Sequence, residues 1–146
     1  MDDETSYLNE DLVKELDVSK EQIEKEKAIQ IEEIKRRKTL YRNSKSDYDI
    51  DNKIVILVDD GAATGATLIA AARWLRNNRN PKKLMIAIPV SSKDTIEILK
   101  KECGIVVTGT TASSVTAFKS VAQFYQEFKQ VDDEKVIEIC KRNKLV

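Results

Sequence analysis

Apolar residues in the first 50 positions are spaced three or four apart within a strongly charged background, a pattern that predicts helices. Residues 8–16 are typical of a short helical or irregular lead-in, and a longer helix should begin after Ser19 and run to about Tyr41. Ser19 and Gln22 have the spacing of a capping box. The apolar stripe of this helix is narrow, so we expect it to pack along one seam. The stripe consists of Ile23, Ile31, Ile34 and Tyr41.

Beyond a loop predicted at residues 42–52, the pattern changes to alternating strands and helices. The unbroken apolar run at 54–58 predicts a strand that is covered on both faces. A second strand is predicted at 84–90, where Pro89 indicates that the last residues leave the ladder. The other predicted elements are helices at 67–77 and 92–102, a strand at 105–107, a loop of small and hydroxyl residues at 108–114, an aromatic segment at 117–128 and a last helix capped by Asp132.

The helices of this second half each have an apolar face. The predicted inward residues are Leu68, Ala71, Ala72 and Leu75 on the first helix, Ile96, Leu99 and Cys103 on the second, and Val136, Ile139 and Cys140 on the last.

The alternation of strands and helices predicts an α/β fold with a parallel sheet and flanking helices. We expect a single domain over residues 1–146, with a helical lead-in at 1–45 and an α/β core at 53–146. Ligands of such sheets bind beyond the carboxyl ends of the strands. Three polar stretches follow the predicted strands and should meet there: Asp59–Asp60, Ser91–Ser92 and residues 108–111.

Composition narrows the possible functions. The 146 residues carry 25 basic and 25 acidic side chains, so no net field attracts nucleic acid or an anionic membrane. The acidic N-terminus is unlike a signal peptide, and no apolar run approaches the ~18 residues of a membrane span. A cytoplasmic location is therefore expected.

The sequence has no histidine, which excludes Ser-His and Cys-His nucleophile mechanisms. The cysteines, Cys103 and Cys140, lie far apart, so neither a zinc site nor a disulfide framework is expected, and no protein metal site is predicted.

Residues 59–67 carry the clearest chemistry. The small residues from Gly61 to Thr67 allow backbone N–H groups to surround an anion at the start of a helix, and Thr64 and Thr67 add hydroxyl groups. Asp59 and Asp60 would repel a bare polyphosphate, but carboxylates accept hydrogen bonds from a vicinal diol. Two acids followed by a phosphate cradle therefore predict a ribose 5-phosphate site.

Other interpretations of this stretch fit less well. A P-loop needs a Lys after its second glycine, where this chain has Ala66, and a dinucleotide fingerprint needs three glycines with its acid downstream. An aspartyl-phosphate mechanism on Asp59 or Asp60 lacks an obvious second acid or lysine. A strand-to-helix turn in which the aspartates merely cap remains the structural alternative.

The run VILVDDGAATGAT at residues 55–67 resembles the phosphoribosyl-pyrophosphate motif of the type I phosphoribosyltransferases. Residues 7–136 also resemble a bacterial and archaeal subgroup of this family whose substrate is unsettled. Its members share the Leu-Asn-Glu lead-in, the long charged helix ending in Tyr-Arg and an aromatic segment like residues 123–128.

The resemblance implies an enzyme that displaces pyrophosphate at ribose C1 with a nucleobase-like acceptor, with Mg2+ chelated mainly by the substrate. It implies that Asp59 and Asp60 are the catalytic acids that bind the ribose hydroxyls. The implied partners are small molecules, namely phosphoribosyl pyrophosphate and a base or nucleotide. The implied substrate-binding residues are Asp59, Asp60, Gly61, Ala62, Ala63, Thr64, Gly65, Ala66 and Thr67.

The chain departs from the family pattern at its N-terminus. The first strand, its helix and the tight loop that grips pyrophosphate are not found in the sequence. Residues 35–42 fall where the family has a mobile active-site loop, and they either bind pyrophosphate or form a solvated helix face. Either the chain is truncated or a partner chain meets the deficit, so we expect a homo-oligomer formed by dimerisation or strand exchange.

Two further functions stay open at this point. The chain could be a regulatory module that binds phosphoribosyl pyrophosphate or a nucleotide without turnover, or an interaction protein built on its long helix. The aromatic segment has two possible roles as well, as core or as a base-stacking platform. Its rings are Phe118, Phe124, Tyr125 and Phe128.

Overall fold

A computed structural model describes residues 6–42, 49–112 and 118–143. In chain order the elements are α1 (Glu10–Glu15), α2 (Lys20–Arg42), β1 (Ile54–Val58), α3 (Ala66–Asn78), β2 (Lys83–Ser92), α4 (Lys93–Cys103), β3 (Ile105–Ala112), a 3-10 turn (Val121–Phe124) and α5 (Asp133–Arg142). The described residues form two compact units. Residues 9–42 and 129–143 form a helical unit, and residues 6–8, 49–112 and 118–128 form a sheet unit. The division of the chain predicted from the sequence stays a prediction.

Helix α2 begins where the sequence predicts. The Ser19 hydroxyl accepts a hydrogen bond from the Gln22 N–H at 3.2 Å, and the Gln22 side chain accepts one from the Ser19 N–H at 2.8 Å. This reciprocal pair is the capping box, which satisfies two donors that the helix itself leaves unpaired. Of the predicted stripe, Ile23, Ile31 and Tyr41 are half-buried, whereas Ile34 is exposed.

The helical unit is joined by a polar network between α2 and α5. The Arg36 guanidinium contacts Glu33 and Asp133, each at 2.7 Å, and the Tyr41 hydroxyl donates to Asp133. Arg37 pairs with Glu33 at 2.6 Å. Arg36, with help from Arg37, lowers the pKa of Glu33 to about 2, and Arg36 and Tyr41 lower the pKa of Asp133. Lys35 also pairs with Glu32 at 3.1 Å, so at least three of the cations at 35–42 are engaged in ion pairs within this unit.

Helix α5 is capped by Asp132 as predicted, since its carboxylate accepts from the Lys135 N–H at 2.8 Å. Its predicted apolar face is half-buried at Val136, Ile139 and Cys140. No helix in the described parts of the chain is long and apolar enough to cross a membrane.

The sheet unit contains a three-stranded parallel sheet in the order β1-β2-β3. The α/β prediction is therefore confirmed. One face of the sheet forms the core with α3 and α4, whose predicted inward residues Leu68, Ala72, Leu75, Ile96 and Leu99 are buried. Ile69 is fully buried too, although the sequence pattern does not place it inward, and Ala71 is half-buried.

The prediction that β1 is covered on both faces is wrong for the described structure. Ile54, Ile56 and Val58 are 61%, 53% and 74% exposed, whereas Val55 and Leu57 are half-buried against the core. Side chains alternate along a strand, and β1 lies at the edge of the sheet, with the helices of its own unit packed on one face only. An unbroken apolar run cannot distinguish this arrangement from a strand that is covered twice.

The predicted ends of β2 and β3 are also wrong, because β2 continues past Pro89 to Ser92 and β3 continues to Ala112. The ladder skips Pro89 and resumes at Val90 opposite Thr110, so residues 108–112 form strand rather than loop. Proline removes one N–H donor, which interrupts a ladder at one position without ending it. A Cβ on Gly109 would lie 3.2 Å from the Pro89 carbonyl oxygen, so glycine permits this close approach. Positions 113 and 114 of the predicted loop lie outside the described residues.

The α2–α5 network predicts an acid-sensitive contribution to stability. Because the folded pKa of Asp133 lies below its unfolded value of about 3.9, its stabilisation is complete above that pH and is lost as pH falls toward the folded pKa. Asp133→Asn should therefore lower the Tm at pH 7, and the difference from wild type should shrink below pH ~4. Glu134→Gln removes the same charge from the same first helical turn and should change the Tm little. A difference for Asp133→Asn that does not depend on pH would contradict this account.

Candidate functional site

The two acids of the predicted site follow β1 directly. Asp59 is half-buried and Asp60 is exposed, and the Asp60 N–H donates to the Asp59 carboxylate at 3.0 Å. Burial raises the pKa of Asp59 above its ordinary value, the hydrogen bond from Asp60 opposes this, and the negative charge of Asp60 adds to it. The site therefore holds a partly desolvated carboxylate next to an exposed one.

The loop after the acids is anchored to β2 through Ala62. The Ala62 N–H donates to the Val90 carbonyl at 3.0 Å, and Ala62 forms a parallel bridge with Ser91. The Ser91 hydroxyl donates to the Ala62 carbonyl at 2.8 Å and is fully buried. The sequence predicts that Ser91 faces the ligand edge, whereas its hydroxyl supports the backbone of the loop.

The start of α4 supports the next residue of the loop. The Thr95 hydroxyl donates to the Ala63 carbonyl at 2.7 Å, and the buried Ser92 hydroxyl contacts the Thr95 hydroxyl at 3.0 Å. Ser92 also caps α4 by accepting from the Thr95 N–H. Thr95 is not among the residues predicted from the sequence. A polar residue on the otherwise apolar inward face of this helix is the signal that could have identified it.

Gly65 makes the turn from the loop into α3. Its φ is 74°, in the left-handed region that favours glycine. A Cβ here would lie 3.1 Å from a Leu99 methyl and 3.2 Å from the Thr95 methyl. Both the backbone conformation and the packing therefore require glycine at this position.

The N-terminus of α3 presents donors that the helix itself leaves unpaired. As the N-cap, Gly65 supplies no side-chain acceptor, and the Ala66 N–H reaches only the Thr64 hydroxyl at a long 3.4 Å. The first turn contains no acidic residue, so the positive end of the helix dipole is not neutralised there. The side chains of Ala63 and Thr64 are exposed beside these donors. This geometry is suited to an anion.

The aromatic segment contacts the backbone next to the acidic pair. A Cβ on Gly61 would lie within 2.9 Å of both Val121 methyl groups, so this glycine allows close packing. The Tyr125 hydroxyl donates to the Asp60 carbonyl at 2.6 Å. Phe118 is buried and stacks on Phe124 at 5.3 Å between ring centroids. Part of the segment is therefore core, as one of the two interpretations expected.

The third predicted polar stretch is one strand removed from the acids. Residues 108–111 belong to β3, which pairs with β2, and the Thr108 hydroxyl donates to the backbone carbonyl of Thr110 at 3.0 Å. Within the described ranges, no three His, Cys, Asp or Glu side chains are grouped so that they could hold a metal ion.

Two arrangements with opposite electrostatic character thus lie within nine consecutive residues. Carboxylates at one end accept hydrogen bonds, and backbone donors with a helix dipole at the other end bind negative charge. A ligand that carries hydroxyl groups and a phosphate a sugar's width apart matches both.

Comparison with solved structures gives a neighbour that has this fold. The crystal structure of TT1426 from Thermus thermophilus aligns with a TM-score of 0.68 and 31% sequence identity, covering 84% of this chain and 56% of that one.

Relatives at the sequence level agree. Two proteins from strains of Mycobacterium tuberculosis, each bearing the name "Putative phosphoribosyl transferase", are 27% identical over 141 residues. The match covers 97% of this chain and 31% of each relative, so the chain spans about a third of their length. A family model described as "Phosphoribosyl transferase domain" matches residues 2–127. The resemblance seen in the motif is confirmed over most of the sequence: this chain belongs to the phosphoribosyl transferase domain family.

Proposed function

We propose that the chain binds 5-phosphoribosyl 1-pyrophosphate through residues 59–67. The observation that carries this proposal is the single continuous segment in which two carboxylates precede an unneutralised helix N-terminus. In the proposed complex, Asp59 and Asp60 accept hydrogen bonds from the ribose 2′ and 3′ hydroxyls. Backbone N–H groups from Ala63 to Thr67 and the Thr64 and Thr67 hydroxyls surround the 5′-phosphate.

The proposed reaction is transfer of the phosphoribosyl group to a nucleobase-like acceptor. The nucleophile displaces pyrophosphate at ribose C1, and the electron pair of the C1–O bond leaves with pyrophosphate. The chain contributes position and charge stabilisation, because the carboxylates fix the ribose while positive charge develops on its ring. No step requires a covalent bond to the protein.

Magnesium enters this proposal as part of the substrate. Mg2+ prefers oxygen ligands and is commonly bound by one or two carboxylates together with substrate phosphates. In this proposal the diphosphate and ribose oxygens of the substrate supply most of the Mg2+ ligands, while Asp59 and Asp60 accept from the ribose hydroxyls. Bound Mg2+ would neutralise charge on the departing pyrophosphate.

The proposal is tested by incubating the chain with phosphoribosyl pyrophosphate, Mg2+ and a panel of nucleobases, while recording binding heat and pyrophosphate release. Asp59→Asn combined with Asp60→Asn should weaken ribose 5-phosphate binding by at least about tenfold, since hydrogen bonds to charged groups contribute ~1.5–3 kcal/mol each. Asp94→Asn, an exposed acid on α4, is the control and should bind as wild type does.

Three results of that experiment are distinct. Pyrophosphate release that depends on a base supports transfer. Binding of phosphoribosyl pyrophosphate without release favours the alternative function, a regulatory module that binds the compound without turnover. Unchanged affinity in the double variant would contradict the proposed site.

The phosphate half of the site is tested by Gly65→Ala. A left-handed φ costs about 1–2 kcal/mol for a residue with a Cβ, and the contacts with Leu99 and Thr95 add to this. The variant should be less stable in urea and should bind methyl phosphate more weakly. Gly104→Ala is the matched control, because Gly104 has φ 76° with nothing within 4 Å of the added Cβ. It should lose stability and keep phosphate binding, and equal loss of binding in both variants would contradict the cradle.

We also propose that the chain forms a homo-oligomer through the outer sheet face, defined by Ile54, Ile56, Val58, Met85, Ala87 and Val107. Parallel sheets are normally covered on both faces, and four of these side chains are more than half exposed. Light scattering should give a multiple of the 16.6 kDa chain mass. Ile56→Lys should reduce that mass to one chain, whereas Lys101→Glu, at an exposed position of α4, should not. A monomeric wild type would rule the proposal out.

A further inference from the structure

The hydrogen bond from Tyr125 to the acidic pair is not explained by core packing. The Tyr125 hydroxyl reaches the Asp60 carbonyl across 65 positions of sequence, at 2.6 Å. If Tyr125 served only to pack against its apolar neighbours, its hydroxyl would hydrogen-bond to water. This one is directed at the peptide that joins Asp60 to Gly61.

The same peptide is held by a second contact from the aromatic segment. Both Val121 methyl groups lie within 2.9 Å of the position that a Cβ of Gly61 would take, so the segment packs closely on the glycine. The Tyr125 N–H donates to the Ala122 carbonyl at 3.1 Å, which closes the 3-10 turn between the two contacts. The turn therefore holds Val121 and Tyr125 at a fixed separation, and both residues contact the Asp60–Gly61 peptide.

The ring of Tyr125 is itself fixed by its neighbours. Phe128 packs against it with ring centroids 5.1 Å apart. Upstream, the stacked pair of Phe118 and Phe124 anchors the segment, and Phe118 is 7% exposed. A hydroxyl on a restrained ring is a preorganised donor.

The acids have no comparable support from the strand. β1 ends at Val58, so the Asp59 and Asp60 peptides lie outside the ladder, and the next bridge to β2 is at Ala62. The interval between these two points contains both carboxylates. Tyr125 holds the middle of that interval.

We propose that Tyr125 is a positioning residue for ribose recognition: its hydroxyl fixes the Asp60–Gly61 peptide and thereby the direction of the Asp60 carboxylate. This inference rests on the proposed function, because it assigns the acids to the ribose hydroxyls. It also means that the ribose half and the phosphate half of the site can be tested separately. Tyr125 acts on the carboxylates, while the phosphate cradle is supported by Ser91 and Thr95.

Tyr125→Phe tests this with two ligands. Removing one hydrogen bond should weaken ribose 5-phosphate binding about threefold to tenfold, and binding of methyl phosphate, which has no diol, should be unchanged. The phenylalanine keeps the ring contact with Phe128, so the fold is retained. Tyr41→Phe is the matched control, since it removes a tyrosine hydroxyl that donates to Asp133 in the helical unit and should affect neither ligand.

A second measurement needs no ligand. The next amide along the chain, the Ala62 N–H, is bonded to the Val90 carbonyl at 3.0 Å, so loosening the Asp60–Gly61 peptide should accelerate its hydrogen exchange in Tyr125→Phe and leave it at the wild-type rate in Tyr41→Phe.

The outcomes separate the inference from the function on which it rests. Selective loss of ribose 5-phosphate affinity together with faster Ala62 exchange supports the positioning role. Equal loss for both ligands would reduce Tyr125 to general support of the fold, and no loss for either would also overturn the inference. A wild-type chain that binds neither ligand would overturn the proposed function, and the inference with it.

Discussion

The site depends on the attachment of Ala62 to β2. Its N–H bonds to Val90 and its carbonyl accepts from the buried Ser91 hydroxyl, so the loop is held to the sheet at one residue. The residues just before it carry the two carboxylates, and the residues after it turn into α3. The hydrogen-bonded sheet holds Ala62 in place. This attachment therefore sets the positions of the carboxylates and of the helix N-terminus relative to each other. The other contacts of the loop with the sheet unit support the position of Ala62.

The part of the site that is local in sequence could be predicted, and the part that depends on distant contacts could not. Residues 59–67 combine acids, small residues and a helix start within one segment, and their chemistry follows from spacing alone. The donors that hold this segment come from 29 to 65 positions away. The strand pattern predicts that Ser91 lies at the same edge, but no local pattern gives its bond to Ala62 or links Thr95 and Tyr125 to the segment. The predictions of where β2 and β3 end were wrong for a related reason. Whether Pro89 ends a ladder depends on the neighbouring strand, and Gly109 provides the space that lets the ladder resume.

The burial of β1 could not be predicted from its composition either. Five apolar residues in succession satisfy a strand covered on both faces, and they equally satisfy an edge strand whose second face is open to a partner. The choice is made by topology: β2 takes the central position, where Ile86 and Ile88 are buried, and β1 takes the edge. An edge strand that ends in the acids leaves their surroundings open on one side, which a second chain could complete.

Asp59 carries a cost in stability that its proposed function would explain. Desolvation raises the pKa of Asp59, and for an acid whose folded pKa exceeds its unfolded one, stability falls as pH rises through the interval between the two values. At neutral pH the ionised carboxylate therefore opposes folding rather than assisting it. A residue chosen only to cap a turn would be expected to show the opposite shift, because a cap is stabilised by the donors from which it accepts.

Asp132 and Asp59 make different hydrogen bonds within one chain. The Asp132 carboxylate accepts from a helix N–H and begins α5, whereas the Asp59 carboxylate accepts from the N–H of its own neighbour, Asp60, and starts no helix. One such hydrogen bond does not offset the desolvation of Asp59, since the net shift of its pKa is upward. A partly buried carboxylate at the end of a strand, with room for further donors on its oxygens, is better explained by hydroxyl groups that arrive with a ligand.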